Sequence, residues 1–368
     1  MAGKPNIDRD LPSEIHDELR SVVSDLLAKN PDADVHLLAR AGWLGLEAPE
    51  DAGGAGATFR EVAIVAEEMG RAVAQGGYLG GAVLGVGTLT SLQPSTFRDV
   101  LLKDVVSGAA TLAVAVSVDH ETIGGTVPFA LRETAGGLRF DGRSVFVPDA
   151  AGAERLLLLA NDPAGTPVIV DVEADATGLA ITGQPVVDGT RHFATVSADD
   201  VGVAESSVWG FDGDPVLGVQ RLFDRAAVAV ACDSLGVAEA MLSATVSYAG
   251  VRHQFGRPIG SFQAVKHACA DMLVRISVAR QLVRAAVDAV AEGCSDVTTS
   301  ASMAKAYACG VAVEVAGKAM QLHGGIGYTW ESGVHTYLKR AALNRCLFGS
   351  PAAHRKALAQ RYFGTTKS

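Results

Sequence analysis

The sequence predicts an α+β protein that is mostly helical, with a small antiparallel β domain between two helical domains. Segments toward both ends repeat apolar residues at three- and four-residue spacing, which is typical of amphipathic helices. The middle carries short β-type runs separated by Gly, Pro, Asp and Asn. At 368 residues the chain is also too long for one ordinary core. We expect an N-terminal helical domain over residues 1–106, a β domain over 107–210 and a C-terminal four-helix bundle over 211–368.

The N-terminal helices are predicted from LPSEIHDELRSVVSDLL and TFREVAIVAEEMGRAV, with the turn-rich APEDAGGAGA between them. Thr58 is the first residue of the second segment and is the expected N-cap. The strands are predicted from TLAVAVSV, LRFDGRSVFV, RLLLLA, TPVIVDV and HFATVSA. In the C-terminal region a long helix is predicted from one apolar stripe: Phe262, Val265, Cys269, Met272, Ile276, Ala279, Val283 and Ala286.

Composition excludes several classes of function. The formal charge is -10, from 41 acidic and 31 basic residues, which disfavours a nucleic-acid or anionic-membrane surface. The five cysteines are scattered and form no Cys-x-x-Cys pair, so neither a disulfide framework nor a metal site is indicated. No apolar run approaches a membrane span and no signal peptide is evident. We therefore expect a cytoplasmic protein with a small-molecule ligand.

Three long segments resemble the acyl-CoA dehydrogenase family. They are AGWLGLEAPEDAGGAGATFREVAIVAEEMGRA, YAGVRHQFGRPIGSFQAVKHACADM and AMQLHGGIGYTWESGVHTYLKRA, in the family's order. The resemblance covers nearly the whole chain and implies a flavoprotein that oxidises the Cα–Cβ bond of an acyl-CoA thioester. It also implies an FAD held between two subunits and an electron-transfer flavoprotein as acceptor.

The resemblance implies FAD contacts to a neighbouring subunit's flavin from six positions. Arginine offers fork-like donors to a diphosphate, and glycines let backbone N–H groups approach an anion. Read without the resemblance, the same residues would be a solvated or helix-capping arginine, a core phenylalanine and an ordinary helix-to-loop turn. The six positions are Arg252, Phe255, Gln263, Gln321, Gly324 and Gly325.

Two parts of the family's flavin site are not recognisable. VSVDHETIGGTVP stands where the family usually has Thr-Glu-Pro and Gly-Ser-Asp, and GRSVFVPDA stands where it has a Trp-Ile-Thr strand. Phe146 can still stack on a flavin, but Pro148 has neither an N–H group nor a hydroxyl to donate. We expect directed flavin contacts to be lost on this side.

The family's catalytic glutamate is also absent. Its position near the C-terminus falls on Phe348, and its alternative position on the preceding helix falls on Ala226. Neither side chain can accept the α-proton of a thioester. Asp224 and Asp233 are the remaining carboxylate candidates, although Asp224 lies about 200° around the helix from Ala226.

A chain with flavin contacts for a partner but no base of its own resembles one subunit of the heteromeric α2β2 acyl-CoA dehydrogenases of actinobacteria. That resemblance implies a homologous partner that carries the glutamate, and it suggests bulky substrates such as sterol side-chain CoA thioesters. Two alternatives stay open. One is a homomeric enzyme that uses Asp224 or Asp233 as the base, and the other is a non-catalytic acyl-CoA-binding or scaffold subunit.

Overall fold

The computed structural model describes residues 13–116 and 126–364. Within these residues, helices come first, an eight-stranded sheet follows, and long helices complete the chain. Helix gives way to strand between Ser107 and Leu112, and strand gives way to helix between Gly210 and Pro215. The predicted order of helical, β and helical regions is confirmed.

The N-terminal region is built from short and medium-length helices. Thr58 caps the third of them, because its Oγ1 accepts from the Arg60 N–H at 3.2 Å. The Glu61 carboxylate in turn accepts from the Thr58 N–H at 2.8 Å, so the predicted N-cap is part of a reciprocal capping box. The elements are α1 Ser13–Lys29, α2 Val35–Arg40, α3 Phe59–Arg71, the π-helix Leu79–Val86, α4 Gly87–Thr90 and α5 Thr96–Ser107.

The sheet is buried on both faces. Along one central strand, Leu157 and Leu159 pack into the helical core, whereas Leu156 and Leu158 pack into a second core within the β domain. This alternation follows from the opposite directions of successive strand side chains. The strands are β1 Leu112–Ala115, β2 Phe129–Thr134, β3 Gly137–Pro148, β4 Arg155–Asn161, β5 Pro167–Glu173, β6 Leu179–Gln184, β7 Phe193–Val203 and β8 Val208–Gly210.

The sheet order is β6-β7-β3-β2-β4-β5-β8, with β1 beside β4. Most neighbours are antiparallel, as predicted, but β4 pairs in parallel with both β1 and β2. These parallel pairs need crossover connections, which the sequence pattern alone does not indicate.

The C-terminal region is a helical bundle followed by a shorter terminal helix. Met272, Ile276 and Ala279 of the predicted stripe are at most 3% exposed, while Phe262 and Val265 are only half-buried near the start of their helix. The elements are α6 Pro215–Val251, the hairpin strands β9 His253–Gln254 and β10 Arg257–Pro258, α7 Gln263–Glu292, α8 Val297–His323, α9 Val334–Cys346 and α10 Pro351–Phe363.

Helix α6 joins the two helical regions at a close crossing with α3. A Cβ added to Gly70 would lie 2.0 Å from the Asp233 carbonyl oxygen, and one added to Gly236 would lie 1.9 Å from the Glu67 carbonyl oxygen. Glycine is therefore required at both positions for the backbones to approach. Helix α6 is also long and apolar enough to cross a membrane, contrary to the sequence expectation, but 78% of its most apolar window is buried inside the protein.

Candidate functional site

Four of the predicted flavin-contact residues lie at the ends of α6, α7 and α8 or in the hairpin between α6 and α7. Arg252 ends α6, Phe255 lies in the turn of the β9–β10 hairpin, Gln263 begins α7, and Gln321 lies in the last turn of α8. Gly324 and Gly325 follow α8 directly, and all six residues are exposed. We call this set the flavin lip: Arg252, Phe255, Gln263, Gln321, Gly324 and Gly325.

Tyr248 and His323 join the part of the flavin lip that follows α6 to the part at the end of α8. Their rings stack with centroids 4.5 Å apart, and the Tyr248 hydroxyl donates to the His323 carbonyl oxygen at 3.4 Å. His323 is buried, and its Nδ1 lies 2.8 Å from the Ala319 carbonyl oxygen. This contact holds the end of α6 beside the end of α8, so residues about 70 positions apart share one surface.

The hairpin presents Phe255 to solvent. Phe255 has a φ of 55° and is 91% exposed, so its interpretation as a core aromatic is wrong. Its ring meets Phe262 edge-on at 6.1 Å, and the Arg257 guanidinium lies 4.1 Å above the Phe262 ring. Arg252 makes no salt bridge with any residue that the structure describes. An aromatic face and an available cation therefore stand together on the surface, which suits a nucleotide.

The two positions at which the resemblance places the family's glutamate are both apolar and buried. Phe348 is 3% exposed and packs edge-on against Phe223 at 6.4 Å, while Ala226 is fully buried. Phe348 has a φ of 51°, which is unusual for a non-glycine residue. Neither position offers a proton acceptor, as the sequence predicts.

Two buried side chains anchor the loop that carries Phe348. The Lys305 ammonium donates to the Gly349 carbonyl oxygen at 2.8 Å, and His354 Nε2 lies 2.9 Å from the Phe348 carbonyl oxygen. His354 Nδ1 lies 3.1 Å from the Ser302 hydroxyl. Burial lowers the pKa of His354 to about 4, so this imidazole is neutral near pH 7. The loop is thus held with its apolar side chain inward.

Asp224 faces the start of α8 and not the position of Ala226. Its carboxylate accepts from the Thr298 hydroxyl at 2.6 Å and from the Gln220 amide at 3.0 Å. Burial raises its pKa to about 6, although both hydrogen bonds favour the ionised form. The carboxylate is engaged within the bundle, in agreement with the expected 200° rotation from Ala226.

Asp233 lies at the centre of a buried ion network. Arg340 contacts it at two points, with Nε 3.1 Å from Oδ1 and Nη2 2.8 Å from Oδ2. Arg191 donates to Oδ2 at 2.9 Å, and the Asn344 amide donates to Oδ1 at 2.5 Å. Burial alone would raise the pKa of Asp233, but the two guanidinium groups outweigh it and lower the pKa well below its ordinary value. A carboxylate this acidic is a poor base, so the network disfavours Asp233 as the catalytic carboxylate.

Sequence reasoning missed the partners of this network. Arg340 also donates to the Thr190 carbonyl and hydroxyl oxygens, at 3.2 and 2.7 Å. The network therefore connects the segment between β6 and β7 with α6 and α9. A polar or charged residue within an apolar helical stripe, such as Arg340 in TYLKRAALN, is the one local signal that could have indicated it.

The fold and the described site define a three-part architecture shared with flavin-dependent dehydrogenases. A variant of the Tcur3481-Tcur3483 steroid ACAD matches 97% of this chain and 99% of its own chain with a TM-score of 0.84 and 28% identity. Butyryl-CoA dehydrogenase from Megasphaera elsdenii has the same fold, with a TM-score of 0.84 at 21% identity over 98% of this chain and all of its own.

Sequence comparison defines the family. The acyl-CoA dehydrogenase N-terminal domain matches residues 14–109, and the C-terminal domain matches residues 218–363. Acyl-CoA dehydrogenase IpdE2 of Mycolicibacterium smegmatis is 31% identical over 347 residues, which cover 94% of this chain and 92% of IpdE2. IpdE2 of Mycobacterium tuberculosis is 30% identical over 316 residues, covering 86% and 81%. The chain belongs to the acyl-CoA dehydrogenase family.

FAD is the cofactor of this family, and the two sides of the expected site differ in how well they fit it. The flavin lip offers an exposed arginine, an exposed aromatic ring and accessible glycine backbone, which fit a nucleotide diphosphate. The strand over Phe146–Asp149 does not fit. The Phe146 N–H donates to the Gln184 side chain at 2.7 Å, Pro148 has no N–H, and the Asp149 N–H donates to the His192 carbonyl oxygen at 3.0 Å.

The other expected departure from the family's flavin site is the segment VSVDHETIGGTVP. Most of VSVDHETIGGTVP, namely residues 117–125, lies outside the described residues.

No group of three or more His, Cys, Asp or Glu in the described parts of the chain is arranged to hold a metal ion.

Proposed function

We propose that this chain is one subunit of an FAD-dependent acyl-CoA dehydrogenase in which a homologous partner chain supplies the catalytic glutamate. The chain's own contribution is the flavin lip, which contacts an FAD seated mainly in the partner. The assembly is a heterotetramer with two copies of each chain.

One observation carries this proposal: both glutamate positions are filled by buried apolar side chains, Phe348 and Ala226. Removing a proton from the carbon next to a thioester requires a positioned base. Asp224 is hydrogen-bonded inside the bundle and Asp233 is neutralised by two arginines, so neither is free to take that role. The engagement of both aspartates by other side chains argues against the homomeric alternative with an aspartate base.

The flavin lip supports the second half of the proposal. Arg252 would pair with the diphosphate of FAD, and Phe255 would cover an apolar part of the nucleotide. Gly324 and Gly325 would allow backbone donors to come close, because a Cβ at either position would meet nothing within 4 Å in this chain. When bound, FAD accepts the hydride that leaves the β-carbon of the acyl group. In this chain the lip residues bind and orient, and none of them moves the proton.

The substrate, the acceptor and the cellular location belong to the same proposal. The similarity to a steroid ACAD at 28% identity supports a bulky CoA thioester such as a sterol side-chain derivative. The double name Tcur3481-Tcur3483 supports an assembly of two different chains. An electron-transfer flavoprotein is the proposed acceptor, and the cytoplasm is the proposed location.

Expression with and without a partner tests the proposal. The partner is a family member that carries the glutamate and the Thr-Glu-Pro loop. The chain alone is expected to be colourless and inactive, whereas the co-purified pair is expected to contain one FAD for every two chains, by absorbance and native mass spectrometry. A yellow and active protein made from this chain alone would contradict it. Binding of a chromophoric acyl-CoA by the chain alone, without flavin, would favour the non-catalytic binding subunit instead.

A further inference from the structure

Exposed apolar side chains follow the last glycine of the flavin lip directly. Ile326 is exposed, and Tyr328 and Trp330 are 71% and 79% exposed. Trp330 differs in this from the other two tryptophans of the chain, Trp43 and Trp209, which are both buried. Single apolar residues are normal on a protein surface, whereas several together are typical of a binding surface.

Neighbouring residues fix the orientation of the Trp330 indole. The His335 ring meets it edge-on, with centroids 4.5 Å apart and an angle of 81° between the rings. The Gly333 N–H donates to the Trp330 carbonyl oxygen at 3.3 Å, and the φ of 65° at Gly333 turns the chain into α9. The indole is therefore supported from its side while most of its surface stays open to a ligand.

A cation lies over the same ring. Lys339 Nζ is 4.9 Å from the centroid of the Trp330 ring. Lys339 makes no salt bridge with any residue in the ranges 13–116 and 126–364, so its charge is available to an anion. The adjacent acidic residue is Glu331, whose pKa is held below its ordinary value by hydrogen bonds from its own backbone and from Thr329. An anionic group of a ligand is therefore directed toward Lys339 and away from Glu331.

An open indole beside an available cation suits one class of ligand. Nucleotide bases stack on exposed aromatic rings, and the phosphate of a nucleotide pairs with a cation. A neutral apolar molecule would use Trp330 and not Lys339, whereas an inorganic anion would use Lys339 and not Trp330. Both side chains are used only by a ligand that joins a flat aromatic ring to an anionic group.

The 3₁₀-helix Gly324–Tyr328 connects the flavin lip with this ligand surface. Its side chains repeat every three residues, so Tyr328 lies on the same side of the helix as Gly325. With a rise of about 2 Å per residue in the helix and at most about 3.6 Å per residue beyond it, Gly324 and Trp330 are separated by about 15 Å at most. The lip and Trp330 are therefore close enough to contact two parts of one dinucleotide.

We propose that Trp330 and Lys339 form an adenine-nucleotide subsite beside the flavin lip. The adenine ring stacks on the indole, and the phosphate group faces the Lys339 ammonium. Two ligands of the proposed enzyme carry an adenine nucleotide, namely FAD in its adenylate half and CoA in its adenosine. The inference rests on the proposed function for the presence of these ligands, but the subsite itself needs neither the partner's glutamate nor turnover.

Titration of the full-length chain alone with ADP tests the stacking contact. Calorimetry gives the dissociation constant, and quenching of tryptophan fluorescence reports on Trp330, because Trp43 and Trp209 are buried. Pyrophosphate, which lacks the base, should bind about 5- to 100-fold more weakly than ADP. Trp330→Ala should weaken ADP binding by the same factor, and Trp330→Phe, which keeps a ring, should weaken it less. Phe97→Ala removes an exposed aromatic ring of α5 and is the matched control, with ADP affinity unchanged.

A second variant tests the role of the cation. Lys339→Gln should weaken ADP binding about three- to fivefold and leave the binding of adenosine, which has no phosphate, unchanged. Equal ADP affinity in the parent chain and a folded Trp330→Ala chain would overturn the proposal. Equal affinity for pyrophosphate and ADP would overturn it as well, because the base would then contribute nothing.

The co-purified pair of chains distinguishes the two sources of the nucleotide. A lower FAD content in Trp330→Ala after gel filtration, with unchanged CoA affinity, assigns the subsite to the adenylate of FAD. Weaker CoA binding with unchanged binding of phosphopantetheine, which lacks the adenosine, assigns it to CoA. Unchanged FAD content and unchanged CoA affinity would overturn the proposal. That failure is distinct from failure of the proposed function, which is judged on the ratio of FAD to chains in the parent pair.

Discussion

Arg340 holds Asp233 at two points inside the protein, through Nε at 3.1 Å and Nη2 at 2.8 Å, and both side chains are 3% exposed. A guanidinium in this geometry stabilises the ionised carboxylate strongly. The pair connects α6 with α9, while Arg191 extends it to the β domain. A carboxylate in this setting organises the junction of the domains and does not exchange protons near neutral pH.

Replacing Asp233 by Asn should destabilise the fold. The substitution leaves Arg340 and Arg191 buried without their counter-ion, and removing one partner of a buried ion pair costs about 3–5 kcal/mol. Chemical denaturation at pH 7 measures the loss. Glu173→Gln is the control, because Glu173 is 69% exposed and pairs with Arg155 at the surface, where a loss below about 1 kcal/mol is expected. Equal stability of the two variants would contradict the assigned role.

The Asp224→Asn variant should fold. Its free energy of unfolding should increase relative to that of the parent chain as the pH rises. Burial raises the pKa of Asp224 to about 6 from 3.8, so ionisation costs the folded state more than the unfolded state. The resulting loss of unfolding free energy in the parent chain is absent below about pH 4. It grows between pH 4 and 6 and reaches roughly 2–3 kcal/mol above that range.

Urea unfolding of the Asp224→Asn variant and of the parent chain across pH 4 to 8 checks the direction of this change in stability. The difference in unfolding free energy should shift in favour of the variant through the pH 4–6 window. The assembled enzyme should also keep its turnover, because the Asp224 carboxylate is engaged by Thr298 and Gln220 inside the bundle. Loss of turnover without loss of stability would return Asp224 to the list of candidate bases.

Arg252→Ala should weaken FAD retention in the assembled enzyme. Charge-assisted hydrogen bonds contribute about 1.5–3 kcal/mol, which corresponds to an increase of roughly 10- to 100-fold in the dissociation constant. Flavin content after gel filtration and fluorescence titration of released FAD measure it. Arg275→Ala is the matched control, since Arg275 is an exposed arginine of α7 that pairs with Glu314 at 2.5 Å. Equal flavin content in both variants would remove Arg252 from the flavin lip.

Phe348→Glu should not create an active chain. The new carboxylate would be buried against Phe223 without a compensating donor, which costs several kcal/mol and favours the protonated form. We expect lower thermal stability than in Phe348→Leu, which keeps the site apolar, and no dehydrogenase activity in either variant expressed alone. Activity of Phe348→Glu without a partner would show that a base was the sole missing part.

Much of the fold could be predicted from the sequence, because its signals are local. The apolar stripe of α7 and the Thr58 cap depend on residues a few positions apart. The absence of a carboxylate at position 348 needs only one residue of a family segment, whereas its consequence for catalysis stays a prediction. The parallel pairing of β4 and the true setting of Asp233 could not be predicted, because both depend on residues more than 30 positions away.

The amino-acid order by itself determined the succession of helical and β regions, the family, and the lack of an ionisable side chain at positions 226 and 348. The tertiary structure alone decided which charges are buried together: it placed Arg340 and Arg191 on Asp233, Thr298 on Asp224, and Tyr248 on His323. The physical reason is that helix and strand periodicity report which face of an element is apolar, whereas the partner of a buried polar group is set by how distant elements pack.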